Sequence, residues 1–367
     1  MNVLFTCGGT AGHINPAVAL ARLFQERDPG CHVLFVGADG GMETRLVPKE
    51  GYEIKTVTIS SFYRSVTPTA IKHNLKTVLS LNKSKKQANA ILNDFKPDLV
   101  VGTGGYASFP VVSAAAKRGI PTAVHESNAV PGLTTKTLSK VVDLVMVGFE
   151  ESRSHYEHPE KVVVTGTPVR GDFFRYTRTQ ARRELGLTDE RPLVVSVWGS
   201  LGADVMNGYM AECFRLEAAQ GAPFRHIHGA GRNFTSLSRA VGKLPDGLEL
   251  REYIYDMPLV MAAADLVLCR AGASTIAELT AIAKPCVLVP SPNVTGDHQT
   301  KNAKVLSDQG GALLLPEKDC SGQVLFDTIS GLLSDKDRRA QMRLALQKLG
   351  SPDANERIYE ALLALLH

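Results

Sequence analysis

The residues with the clearest chemical content are glycines at the ends of short apolar runs. Residues 3–7 lead into Gly8-Gly9-Thr10-Ala11-Gly12-His13, residues 98–102 into Thr103-Gly104-Gly105-Tyr106, and residues 193–197 into Trp198-Gly199-Ser200-Leu201-Gly202. A strand that ends in glycines before a helix presents bare backbone N–H groups and the positive end of a helix dipole, and both suit phosphate. Neither the dinucleotide spacing G-x-G-x-x-G nor the P-loop spacing G-x-x-x-x-G-K-[ST] is present, so the loops indicate phosphate or sugar contact without naming NAD or ATP.

The richest stretch of the second half is Cys269-Arg270-Ala271-Gly272-Ala273-Ser274-Thr275-Ile276-Ala277-Glu278. Residues 272–275 would open a helix whose free N–H groups receive a diphosphate. Glu278, one turn in, either accepts two hydrogen bonds from a ribose diol or closes a Thr275-x-x-Glu278 capping box; its place at the C-terminal edge of a sheet favours the ribose. Gly296-Asp297-His298-Gln299-Thr300-Lys301-Asn302 offers amides and hydroxyls at the same edge, as sugar recognition requires. Asp335-Lys336-Asp337 has the look of a metal motif, but it precedes a helical run and reads better as a helix cap. His226 and His228 share a strand face, and two histidines do not make a metal site. No metal and no cofactor are expected.

These residues need a scaffold that repeats. Apolar runs without alternation suit parallel strands covered on both faces, and their separation by helical stretches implies right-handed βαβ units in a doubly wound α/β sheet. The rhythm restarts near residue 193, and Gly9-Thr10-Ala11-Gly12 and Gly199-Ser200-Leu201-Gly202 share the pattern G-[ST]-x-G after the first strand of each half. We therefore expect two similar Rossmann-like domains, 1–165 and 166–349, with a C-terminal amphipathic helix within 350–367. A length of 367 residues accommodates both.

Composition narrows the function classes. Hydrophobic residues at 44% and charged ones at 21% exclude a disordered chain, and a net charge of +4 is too small to indicate a nucleic-acid binder. The six cysteines are scattered without a C-x-x-C, which argues for a reducing compartment and against a disulfide framework. The first residues enter a strand rather than a signal peptide, and no segment approaches the ~20 apolar residues that span a bilayer. The expectation is an intracellular protein, at most held on a membrane surface.

In order along the chain, Gly8-Gly9-Thr10-Ala11-Gly12-His13-Ile14-Asn15-Pro16, His125-Glu126-Ser127-Asn128-Ala129-Val130-Pro131-Gly132, Gly166-Thr167-Pro168-Val169-Arg170 and the stretch 270–278 closely resemble the MurG family. These are the peptidoglycan glycosyltransferases that add N-acetylglucosamine to lipid I. The resemblance runs from Val3 to the C-terminal helix and implies a GT-B fold: two Rossmann-like domains facing an interdomain cleft, with the last helix crossing back onto the first. It implies that the second domain holds UDP-N-acetylglucosamine. Ile254 would meet uracil through its backbone, Glu278 the ribose, and Ser200, Ala273, Ser274 and Thr275 the diphosphate. Arg170 would also touch the nucleotide and Gln299 the sugar hydroxyls. From the first domain, Thr10, Ala11, Gly12, His13 and Asn128 would reach the donor sugar and the acceptor diphosphate, with Gly104, Gly105, Tyr106 and His125 on the acceptor side. The chain departs from the family pattern at Trp198, where the third loop usually opens with glycine, at Ser127 for Gln and at Thr167 for Asn.

The implied reaction is attack of the acceptor C4 hydroxyl on the anomeric carbon as UDP departs, inverting the configuration. It needs a base for the hydroxyl and donors for the charge on UDP. His13 is the first candidate base, because an imidazole exchanges protons near neutrality. Glu126 is the second, or else a carboxylate that holds His125 or Asn128 in place. Lys72, Lys76, Lys83, Lys85 and Lys86 alternate with Ile71, Leu75, Val78, Leu79 and Leu81, a pattern that suits an anionic membrane surface at about 1 kcal/mol per lysine. A polyprenyl diphosphate acceptor would place the protein peripherally on the cytoplasmic face of the cell membrane. Two other readings use the same loops: a UDP-N-acetylglucosamine 2-epimerase, and a nucleotide-sugar-binding protein without turnover.

Overall fold

The computed structural model describes residues 1–60, 67–199 and 202–366; the side chains of residues 68–80 and 295 are outside the described set. The chain divides into two units, Met1–Arg170 with Ser351–His367, and Gly171–Gly350. The first unit thus runs past Thr165, and the reason is local. Thr165 and Gly166 donate N–H bonds to the Val147 carbonyl. Asn355, on the last helix, then clamps Val169 from both sides, accepting from its N–H at 3.1 Å and donating to its carbonyl at 2.9 Å.

The first unit is a seven-stranded sheet of β1 (Asn2–Thr6), β2 (His32–Ala38), β3 (Glu53–Val57), β4 (Leu99–Gly102), β5 (Thr122–Glu126), β6 (Leu144–Val147) and β7 (Val162–Val164), in the order β3-β2-β1-β4-β5-β6-β7. The second unit has six strands: β8 (Leu193–Val197), β9 (Arg225–Gly229), β10 (Leu248–Arg251), β11 (Leu266–Cys269), β12 (Cys286–Leu288) and β13 (Ala312–Leu314). Their order is β10-β9-β8-β11-β12-β13. Every pairing in both sheets is parallel. In each sheet the order reverses beside the first strand, between β1 and β4 and between β8 and β11. Such a switch point opens a crevice at the carboxyl ends of the strands, where ligands of α/β sheets bind. Thr6 pairs with Gly102 and Val197 with Cys269, so the glycine loops that follow emerge at the same level.

The core explains the spacing of the apolar residues. In the first unit Phe5 stacks on Phe35 with centroids 5.6 Å apart and meets Phe24, from the helix Ala11–Arg27, edge-on at 6.0 Å. The helix Ala354–Leu363 adds Ile358 and Leu362 to the same cluster, and Tyr359 meets Phe24 at 4.8 Å. The last helix therefore belongs to the first unit although the chain reaches it through the second. The first helix starts at Ala11, ahead of Pro16, because the His13 and Ile14 N–H groups both donate to the Thr10 carbonyl. This places His13 in the first helical turn.

Asp335 caps the helix Lys336–Leu349, accepting from the Arg338 N–H at 2.8 Å, which accounts for the acidic pair there. No helix among the described residues is long and apolar enough to cross a membrane.

Candidate functional site

In the first unit, the loops after β1 and β4 meet at the switch point. His13 Nδ1 lies 2.8 Å from the Gly8 carbonyl oxygen and 3.5 Å from Thr10 Oγ1. A carbonyl oxygen only accepts, so the neutral ring carries its proton on Nδ1 and leaves the Nε2 lone pair bare. Thr103 Oγ1 donates to the His13 carbonyl at 2.6 Å and ties the two loops together. Gly104 and Gly105 have φ of +107° and +82°. A Cβ on Gly104 would lie 2.6 Å from His13 Cδ2, and one on Gly105 would lie 2.1 Å from the Gly8 oxygen. Only glycine lets the second loop approach the first this closely. The expected residues Thr10, Ala11, Gly12, His13, Gly104, Gly105 and Tyr106 are thus brought together, with Thr10 exposed and the others of the first helical turn half-buried.

At the end of β5 the outcome differs. Glu126 is 4% exposed, and both its oxygens serve its own loop. Oε1 accepts from the Asn128 N–H and Nδ2 at 3.0 and 2.9 Å, and Oε2 accepts from the Gly132 N–H at 2.9 Å. It is a loop-holding carboxylate that orients Asn128, and the geometry does not favour it as the base. His125 is corrected as well. Its ring is fully buried, with Nε2 at 2.9 Å from the Gly166 carbonyl and Nδ1 at 3.3 Å from Ser127 Oγ, so it cannot touch an acceptor. Burial pushes this imidazole below its usual pKa. Both faces of β5 are covered and all five of its residues are buried, so the ring of His125 lies within the packed layers of the unit.

In the second unit, Gly272 is the N-cap of the helix Ala273–Ala281, and no side chain caps it. Thr275 is therefore the third helical residue rather than the cap, and the Thr275–Glu278 capping box does not form. Ala273, Ser274 and Thr275 line the helix opening, and Glu278 stands half-exposed one turn on. Asn302, fully buried, donates to the Ala271 carbonyl at 3.3 Å and fixes the turn from below. Gln299 accepts from the Ser291 N–H at 2.8 Å through Oε1, which leaves its NH2 end to recognise a hydroxyl. Ile254, expected to meet uracil through its backbone, has a buried side chain. Arg170 is the last residue of the first unit. Ser200 lies outside the described residues.

Trp198 occupies the start of the third glycine loop and is 2% exposed. Its indole joins the second unit's core and lies under the Arg270 guanidinium at 6.0 Å. Arg270 in turn bonds to the Val289 and Pro290 carbonyls and pairs with Glu317 at 2.5 Å. The side chain is thus turned away from the loop, whose next residue, Gly199, is exposed.

The histidine pair has a different use from ligation. Ser196 Oγ lies 2.8 Å from His226 Nε2 and 2.7 Å from His228 Nδ1, while Glu217 meets His226 Nδ1 and Asn207 meets His228 Nε2. Burial, with His226 beside it, pushes His228 down to about 3, so it stays neutral. Asn207 Nδ2 carries the network on, donating to the Ala230 carbonyl at 2.8 Å and to Asn233 Oδ1 at 3.2 Å. Among the described residues no group of three or more His, Cys, Asp or Glu could hold a metal ion.

Two features escaped the sequence. Tyr253 and Tyr255 flank Ile254 with ring centroids 4.8 Å apart, and Tyr255 is 89% exposed; the alternation around a buried residue was the available signal. Glu43, outside every motif, accepts from the Gly9 N–H and so supports the first loop.

Comparison with known proteins agrees with this arrangement. Residues 3–147 match the glycosyltransferase family 28 N-terminal domain and residues 193–358 its C-terminal domain. A relative from Acetivibrio thermocellus, named UDP-N-acetylglucosamine–N-acetylmuramyl-(pentapeptide) pyrophosphoryl-undecaprenol N-acetylglucosamine transferase, is 41% identical over 362 residues, 98% of this chain and 97% of that protein. The crystal structure of Acinetobacter baumannii MurG superposes with a TM-score of 0.77 at 27% identity, covering 99% of both chains. A UDP-GlcNAc 2-epimerase from Neisseria meningitidis, solved with UDP-GlcNAc, has a TM-score of 0.63 at 17% identity over 99% of this chain and 100% of that one, a likeness of fold alone. With a Rossmann-like sheet in each unit and both family domains matched in order, the chain belongs to glycosyltransferase family 28, alongside MurG, and has the GT-B fold.

Proposed function

We infer that this chain transfers N-acetylglucosamine from UDP-N-acetylglucosamine to the C4 hydroxyl of the N-acetylmuramoyl unit of lipid I, forming lipid II for peptidoglycan synthesis. The observation that carries this is the 41% identity, across 98% of the chain, to a protein named for that transfer. His13 takes the C4 hydroxyl proton on Nε2 while the oxygen attacks the anomeric carbon. The bond from that carbon to the diphosphate oxygen breaks, and UDP leaves with the electron pair. Inversion follows from displacement on the opposite face. The helix opening at Ala273–Thr275 receives the charge that develops on UDP, where its N–H groups and dipole need no reorganisation.

The test is UDP release from UDP-N-acetylglucosamine with and without a lipid I analogue, together with the disaccharide product. Release only with acceptor supports transfer; an epimerised donor, or binding with no product where a control transferase works, overturns it. Glu278→Ala removes the acceptor of the ribose hydrogen bonds. Donor affinity should then fall about 10- to 100-fold, since a hydrogen bond to a charged group contributes about 1.5–3 kcal/mol. Titration calorimetry with UDP reads it, and unchanged affinity would remove Glu278 from the donor site.

The acceptor's lipid tail puts the protein at the cytoplasmic face of the membrane, held peripherally. Support comes from the helix Pro68–Phe95, on which Lys83, Lys85 and Lys86 are exposed. The side chains of Lys72 and Lys76 lie outside the described residues. Changing Lys83, Lys85 and Lys86 to glutamate should cut sedimentation with anionic vesicles at least tenfold, at about 1 kcal/mol per lysine, and spare UDP binding. Equal sedimentation would refute the surface.

A further inference from the structure

Glu43 begins the helix Glu43–Lys49 and is fully buried. Its Oε1 accepts from the Ala38 N–H at 2.8 Å and its Oε2 from the Gly9 N–H at 3.1 Å. The Gly9 N–H and the Gly8 carbonyl belong to one peptide unit, and that carbonyl is the partner of His13 Nδ1 at 2.8 Å. The peptide is trans, so its N–H and C=O point in opposite directions. A carboxylate therefore holds one side of a single peptide plane and the imidazole holds the other.

The surroundings are built for this arrangement. Gly9 has φ of +86°, a conformation that a side chain resists. A Cβ added at Gly8, Gly37 or Gly41 would come within 2.6, 2.3 and 2.3 Å of Glu43 atoms. Three close glycines thus surround one carboxylate. Among the described residues its hydrogen-bond partners are these two backbone amides, one on each oxygen. A loop that needed only filling would not require a side chain whose two oxygens each receive a backbone N–H.

We propose that Glu43 is a positioning residue for the transfer, acting on His13 through the Gly8–Gly9 peptide as a carboxylate–peptide–imidazole relay. The proposal rests on the reading of His13 as the base. The carboxylate fixes the peptide plane and polarises the amide, which makes the Gly8 oxygen a stronger acceptor for Nδ1–H. That bond selects the tautomer with a bare Nε2 and stabilises the imidazolium formed when Nε2 takes the hydroxyl proton. The logic is that of an acidic residue orienting a catalytic histidine, with a peptide group interposed. No proton crosses the peptide.

The experiment follows the intact chain with 15N-labelled histidine, the His13 signals being assigned by their loss in His13→Ala. In the unchanged protein His13 should give the Nδ1–H tautomer, and an Nε2–H tautomer overturns the relay without any variant. Glu43→Gln keeps the size but has one acceptor for two N–H groups. It should lower kcat about 10- to 100-fold with KM for UDP-N-acetylglucosamine within twofold, and should mix the His13 tautomers. In a His13→Ala background the same change should cost no further turnover, because residues acting as a unit do not add. A full additional loss there, or an unaltered tautomer in Glu43→Gln, overturns the proposal. Absence of acceptor-dependent UDP release by the unchanged protein would instead sink the transfer reading, while the tautomer signal still decides the relay.

Discussion

His13→Ala should lower kcat by about a thousandfold, within the 10²- to 10⁴-fold range typical of a positioned general base, and leave KM for UDP-N-acetylglucosamine within about threefold. The expectation follows from where the ring is held. Its Nδ1 is committed to the Gly8 carbonyl, its flank rests on Gly104, and its backbone carbonyl is tied by Thr103. The proposed cradle for the UDP diphosphate, Ala273–Thr275, belongs to the other unit, so the proposal gives the ring no part in holding the diphosphate. An interaction needed only in the transition state lowers kcat and kcat/KM together, and that signature separates a base from a binding residue. Steady-state UDP release at saturating lipid I analogue reads it. A kcat within threefold of the unchanged enzyme would remove His13 as the base, and a loss confined to KM would assign it to binding.

Trp198→Ala should destabilise the second unit by about 3–5 kcal/mol, the usual cost of emptying a large aromatic site in a core. The indole is 2% exposed, packs in the cluster that includes Met206, Met210 and Phe214, and lies beneath the Arg270 guanidinium. Truncation leaves a cavity and removes a cation–π contact of about 0.5–2 kcal/mol. Because Trp198 is the only tryptophan of the chain, urea unfolding is followed by far-UV circular dichroism rather than fluorescence. Trp198→Phe, which keeps an aromatic ring under Arg270, should lose less. An unchanged unfolding midpoint for the alanine variant would mean that the core closes without the indole. The outcome bears on function, because Trp198 anchors the strand end from which the third glycine loop departs.

The central strands were readable because both their faces are covered, which leaves an unbroken apolar run such as Leu266–Cys269. The edge strands β3 and β10, Glu53–Val57 and Leu248–Arg251, carry charged residues among apolar ones and did not stand out. The other two edges, β7 (Val162–Val164) and β13 (Ala312–Leu314), are apolar throughout, so an edge position permits a mixed sequence without imposing one.

At the site, local chemistry was legible and orientation was not. The glycine loops, His13 and the helix opening at Ala273–Thr275 announce themselves by residue type, since phosphate recognition by backbone needs glycine and a helix start. The sequence also carried enough ordered motifs to indicate the family. It could not separate the roles of His125 and Glu126, adjacent residues that strand parity and the following turn send to different partners. It left the Thr275–Glu278 pair open until the N-cap proved to be Gly272. It gave Glu43 no mark at all.

Sequence alone therefore determined which residues have the chemistry for phosphate, sugar and proton transfer, because that depends on side-chain type and short spacing. The tertiary structure alone decided which of them share a crevice and which are spent on holding it. Strand order, β1 beside β4 and β8 beside β11, joins loops about 90 and 70 residues apart in sequence. A contact such as that of Glu43 with the Gly9 amide exists only when separate loops are folded onto one sheet edge, and no local pattern encodes it.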